Sequence, residues 1–147
     1  MSVHSLRIDD LESAQMDVLS GDYEGALRTI ALILEKYPDD LDALRLKGNT
    51  IELKVFAQME PVSMAVRSME LAGARMCYEK ILTKTPDDIL TLKDLADHEK
   101  NFGRKSDALA QYQKLIDILE HEKALGRNVE EELADARQEY SELVSVE

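Results

Sequence analysis

The sequence predicts an all-α protein, and three observations carry that prediction. Apolar residues recur at steps of three and four along nearly the whole chain, the spacing of one helix face. Only six glycines and three prolines interrupt its 147 residues, and most fall where those runs end. One phrase also returns. Gly21-Asp22-Tyr23, Ala26-Leu27 and Tyr37-Pro38-Asp39-Asp40 are echoed by Ala74, Tyr78, Ile81-Leu82 and Thr85-Pro86-Asp87-Asp88, and a third round has Gly103, Ala108-Leu109, Tyr112 and Leu115-Ile116. Repetition on this scale marks an array of one supersecondary unit.

The elements follow in order. A first helix runs from about Asp9 to Ser20 with Leu11, Ala14 and Val18 on one face; Gly21 ends it, and Asp22 caps a second helix bearing Ala26, Leu27, Ile30, Ile33 and Leu34. Tyr37-Pro38 stops that helix, because proline disfavours helical backbone in the residue before it. Asp39 and Asp40 then open a third helix with Ala43, Leu44, Gly48, Ile51 and Val55, which runs on to the break at Pro61. A long fourth helix spans about Val62 to Thr83. Val62, Val66, Met69, Gly73 and Met76 form its packing seam, with Met69 and Met76 in the core. After Pro86-Asp87-Asp88 comes a fifth helix with Leu92, Leu95, Ala96 and Phe102, closed by Gly103. Ser106 or Asp107 caps the sixth, which carries Leu109, Tyr112, Leu115, Ile116 and Leu119 and ends near Gly126. Asn128 and Glu131 form a capping box for the seventh, with Leu133, Ala136, Tyr140 and Leu143 on its apolar face.

Composition excludes several classes of function. Thirty acidic against eighteen basic residues leave a net charge of −12, a field that repels nucleic acid and anionic membrane surfaces. The single cysteine, Cys77, cannot build an internal disulfide and reads as a small packed residue. The amino terminus lacks the apolar stretch of a signal peptide, and no run is long enough to span a membrane, so a cytoplasmic location is expected. His98 and His121 have no second ligand at metal-binding spacing, and the acidic pairs fit helix starts better than a cation loop. No nucleophile–base pairing, phosphate-cradling glycine loop or nucleophile elbow is present, so neither an enzyme nor a cofactor is expected.

These residues resemble the tetratricopeptide repeat, a helix–turn–helix unit of about 34 residues. The first repeat would cover 7–40, with Ala14, Gly21, Tyr23, Ala26 and Pro38 on the pattern; the third would cover 89–122, with Leu92, Ala96, Gly103, Ala108 and Tyr112, and Glu120 in place of the closing proline. Pro38 to Pro86 spans 48 residues, about 14 beyond the period, while both ends of the middle repeat (41–88) keep register through Leu44, Gly48, Ala74 and Tyr78. The surplus therefore lies between about Leu53 and Met69. About seven extra residues in each helix would lengthen the hairpin by some two turns without losing phase.

The resemblance implies one α-solenoid domain over 1–147, its hairpins stacked into a right-handed superhelix and closed by a helix over about 128–145. It implies a concave groove lined by the first helix of each hairpin, where Arg45, Asn49 and Glu52 and then Lys93, Asp97 and Lys100 would face a ligand. Arg45 and Asn49 stand one turn apart and can reach a carboxylate or backbone together. Met59 and Met64 flank the Pro61 tip as a second candidate contact. The expected role is a non-catalytic adaptor for a protein or peptide, with basic segments favoured by the acidic exterior. A self-assembling homo-oligomeric scaffold and a small acidic secretion or assembly chaperone are the alternatives.

Overall fold

A computed structural model of the chain describes the backbone of residues 3–58 and 64–145, and the side chains of 8–58 and 66–145. Among these residues there are seven helices and no strand: α1 Val3–Ser20, α2 Tyr23–Lys36, α3 Leu41–Ala57, α4 Met64–Lys84, α5 Ile89–Asn101, α6 Lys105–Ala124 and α7 Glu130–Ser145. None of them is long and apolar enough to cross a membrane. The chain divides into two compact units, Met1–Ile81 and Leu82–Glu147.

Three of the helix ends share one physical cause. Gly21, Gly103 and Gly126 adopt φ of 85°, 77° and 87°, a region costly for any residue with a Cβ. In each case the following residue's N–H reaches back to a carbonyl five residues earlier, while the glycine's own N–H closes the inner turn: Asp22 to Asp17 and Gly21 to Val18, Arg104 to Glu99 and Gly103 to Lys100, Arg127 to Glu122 and Gly126 to Lys123. These are Schellman closures, which satisfy the orphan carbonyls of a helix end. The next helices are capped with less uniformity. Asp22 Oδ1 accepts from Gly25 N at 2.9 Å and Asp40 Oδ1 from Ala43 N at 3.0 Å. Asp88 precedes α5, but its Oδ2 accepts from the Thr91 hydroxyl at 2.7 Å.

Two expected caps are corrected. The N-cap of α6 is Arg104, without a side-chain cap, and Asp107 already stands in the first turn. Only Phe102, Gly103 and Arg104 separate the two helices, so α6 has already begun at Lys105 and Ser106 lies inside its first turn. In α7 the first intrahelical acceptor is the carbonyl of Val129, which receives Leu133 N at 2.9 Å, so Val129 rather than Asn128 holds the N-cap position and the helix starts at Glu130.

In the first unit, α1 and α2 enclose Ala14, Ile30, Ile33 and, from α3, Ala43, with Leu11, Leu34, Tyr37 and Leu46 packed around them. A neighbouring cluster joins Leu44 of α3 to Cys77 and Ile81 of α4. Helices α3 and α4 meet where the fully buried Tyr78 ring lies against Gly48 and its hydroxyl donates to Asn49 Oδ1 at 2.7 Å. In the second unit, Leu92, Leu115, Ile116, Leu119, Leu133 and Ala136 form the main core, and Ala96, Ala108 and Tyr112 a second cluster beside Tyr140 and Leu143. Corresponding steps are buried in each helix pair: Ala26, Ala74 and Ala108; Ile30, Tyr78 and Tyr112; Ile33, Ile81 and Leu115.

The seam expected on α4 is out of phase. Met69 and Met76 are 75% and 68% exposed and Val66 46%, while Ala74, Cys77, Tyr78 and Ile81 are buried. Steric fit decides this. Tyr78 fills the space that Gly48 leaves, and that contact fixes the rotation of α4 with the methionines outward. Val62 and Met59, with the side chain of Met64, lie outside the described residues.

The lengthening of the middle pair is uneven. Helix α3 ends four residues beyond the register position at which α5 stops, and α4 begins seven before the position at which α2 starts. At the step occupied elsewhere by the turn glycines Gly21 and Gly103, this pair has Val55. Its backbone stays helical and its side chain is fully buried. A β-branched residue resists the left-handed conformation that a turn here would need. The extension is tied down by Lys54, whose Nζ lies 2.8 Å from Glu24 Oε1 and 3.7 Å from Glu70 Oε2.

Candidate functional site

The second unit holds a cavity of about 240 Å³ bounded by α5, α6 and α7. Its floor is apolar, from Leu115, Leu119 and Ala136, and Ile89 and Leu90 form one lip. Lys93 and Asp97 rise from α5, and Glu132, Asp135, Gln138 and Glu139 from α7. Tyr112 stands at the inner end. The α5 positions lie on one face through the spacing of four between Lys93 and Asp97, and the α7 carboxylates through steps of three and four.

The polar groups are wired to the core. Tyr112 Oη donates to Asp97 Oδ1, and Lys93 Nζ donates to Asp97 Oδ2 at 2.9 Å, so one carboxylate joins a buried phenol to an exposed ammonium. Lys100 Nζ donates to Glu139 Oε2 at 2.8 Å, linking α5 to α7 one turn further along. Burial above all, and then the hydrogen bond to Asp97, pushes the Tyr112 phenol well above its ordinary range. The Lys93 ammonium is held above its usual value chiefly by its hydrogen bond to Asp97.

The six groove residues expected from sequence fall into two sets. Lys93, Asp97 and Lys100 come together on this side of the second unit, two of them lining the cavity. Arg45, Asn49 and Glu52 lie on α3 of the first unit. There Arg45 Nη1 is 3.8 Å from Asp42 Oδ1, with its side chain only 20% exposed, and Asn49 accepts the Tyr78 hydroxyl. Asn49 and Asp97 thus have the same task in their respective units: each receives the hydroxyl of the buried tyrosine on the following helix. The α7 half of the cavity was missed from sequence. The available signal was the face next to Leu133, Ala136 and Tyr140, where Glu132, Asp135 and Glu139 repeat at helical spacing.

A second, more open cavity of about 500 Å³ lies in the first unit, with Leu34, Leu44 and Cys77 beneath and Lys47, Met76 and Lys80 at its edge. Burial pushes the Cys77 thiol up, against the pull of Lys47 and Lys80, which keeps it protonated and poorly nucleophilic. Among the described residues no group of three or more His, Cys, Asp or Glu could hold a metal ion. The chain matches no protein-family model and no curated protein.

Proposed function

We propose that the chain is a binding module of the tetratricopeptide kind, taking a segment of a partner protein in the groove between α5, α6 and α7. The observation that carries this reading is the groove itself, an apolar floor with Leu90 61% exposed at its lip and a rim of oriented charges. Apolar surface left in water beside convergent polar groups is the usual form of a recognition site. Its cavity is smaller than the roughly 300–1,000 Å³ of small-molecule sites, which suits one or two anchoring side chains of a larger partner.

Photo-crosslinking tests the reading. A benzophenone side chain at Gln138 is expected to trap a partner from a lysate of the native host, and Leu90→Asp in the same chain to abolish the product. A probe at Leu19, exposed on α1, serves as control. Equal trapping from Leu19, or trapping that survives Leu90→Asp, moves the site elsewhere. In that case Arg45→Ala with Asn49→Ala examines the α3 face.

Self-assembly is the second reading, favoured by the exposed Val66, Met69 and Met76 at steps of three and seven along α4. Large apolar groups aligned on one helix face are the pattern of a helix awaiting another helix. Under this reading light scattering shows a mass that rises with concentration, and Met69→Glu with Met76→Glu returns it to that of one chain. A wild-type monomer at every concentration eliminates it.

A further inference from the structure

We infer that the α5–α7 groove selects a partner segment in which an arginine or lysine adjoins an aliphatic side chain. The cation meets Glu132 and Asp135, and the aliphatic group rests on Leu90 and Ile89. This rests on the binding role proposed above and names its ligand chemistry.

Charge inside the groove is lopsided. Four carboxylates line it, from Asp97, Glu132, Asp135 and Glu139, against the single ammonium of Lys93. The chain's own cations serve two of the four, Lys93 on Asp97 and Lys100 on Glu139. Glu132 and Asp135 have no hydrogen-bond or ion-pair partner among the described residues, and both are exposed. Three residues apart on a helix, they are neighbours whose like charges repel, and a cation placed between them relieves that repulsion. An anionic ligand would meet the same carboxylates with no cation left to receive it. The exposed Leu90, with the half-buried Ile89 beside it, supplies the other half of the preference, since a purely polar segment would leave this lip in water.

Fluorescence anisotropy with labelled synthetic peptides tests this on the full chain. Three short probes are compared: one alternating leucine and arginine, one leucine and glutamate, and one serine and arginine. The Leu–Arg probe is expected to bind about tenfold or more tightly than either of the others and to weaken as salt rises. Glu132→Lys with Asp135→Lys should cost it about tenfold or more. Asp10→Lys with Glu12→Lys, an equal charge change on exposed positions of α1, should cost less than about twofold.

Equal losses in the two variants would reduce the effect to the diffuse −12 field and overturn the inference. So would absence of Leu–Arg binding, or Leu–Glu binding as tight as Leu–Arg. Failure of the underlying binding role has a different signature, because Leu90→Asp would then leave every probe's affinity unchanged. If the Leu–Glu probe binds well and Leu90→Asp abolishes it, the groove stands and only the charge preference falls. Light scattering without peptide completes the set: a dimer broken by Glu132→Lys with Asp135→Lys would assign the groove to a second copy of the chain and overturn the inference.

Discussion

Replacing Tyr112 with alanine lowers the stability of the chain by about 3–5 kcal/mol, the cost of removing a fully buried aromatic ring. For a chain of this length that is a fall in Tm on the order of 6–20 °C. The ring packs beside Ala96 and Ala108, small side chains that cannot expand into the vacated space, with Tyr140 and Leu143 at the edge of the same cluster. Tyr112→Phe isolates the polar part. It keeps the packing and deletes the hydrogen bond to Asp97, at a cost of roughly 1.5–3 kcal/mol for a bond to a charged acceptor.

Alkaline pH separates these contributions further. Burial and Asp97 hold the folded phenol above its ordinary value, so it keeps its proton where the unfolded phenol, near pH 10, loses it. The phenol's contribution is therefore fully present below about pH 10 and is lost as pH rises toward the folded value. Urea titrations at neutral pH and near pH 11 should show the gap between wild type and Tyr112→Phe narrowing. A gap of constant size would mean that the hydroxyl is not held as described.

Gly48→Ala is the second large effect, and its sign runs against the ordinary rule. Within a helix, glycine to alanine normally gains about 1 kcal/mol. Here a Cβ would stand 2.7 Å from Tyr78 Cε1 and 2.8 Å from Cζ, distances that real contacts do not reach. The ring is enclosed and anchored through Asn49, so the helices must separate or the ring must turn off its rotamer. A net loss of about 1–3 kcal/mol is expected from such overpacking. In α1 and α2 the corresponding places hold Ala14 and Ile30, which share one cluster. Tyr78→Ile should therefore cost less in the Gly48→Ala background than alone. Additive costs by thermal unfolding would show that the clash is relieved elsewhere.

Much of the fold was legible because its boundaries are written in local chemistry. Gly21 and Gly103 mark left-handed closures, Pro38 and Pro86 stop helices, and Asp22 and Asp40 cap the next ones within a few residues of where sequence placed them. The rotation of α4 was not legible in the same way. Counting apolar side chains selects Val66, Met69 and Met76. Ala74, Cys77, Tyr78 and Ile81 make a second face at the same helical spacing, and the fit of Tyr78 to Gly48 across the helix pair chooses that one. Placing Tyr78 in register with Ile30 and Tyr112 would have found it.

The candidate site divides along the same line. Lys93, Asp97 and Lys100 were accessible as one face of α5. Glu132, Asp135 and Glu139 lie outside the apolar stripe that the periodicity of α7 selects, and only the packing of α7 in the second unit brings them to the groove. The structural duty of Asn49 and Asp97 was hidden too, since a hydroxyl arriving from the next helix leaves no mark in their own neighbourhood.

The bond between Tyr112 and Asp97 also gives the molecule an optical property. The chain has five tyrosines and no tryptophan, so its ultraviolet emission comes from phenols alone. A phenol bonded to a carboxylate emits weakly, because the excited hydroxyl passes its proton to the acceptor. Asp97 lines the groove, and a ligand seated there that shifts its carboxylate would loosen that bond and brighten Tyr112. The protein thus carries its own lamp for the occupancy of this groove, and Tyr112→Phe removes it.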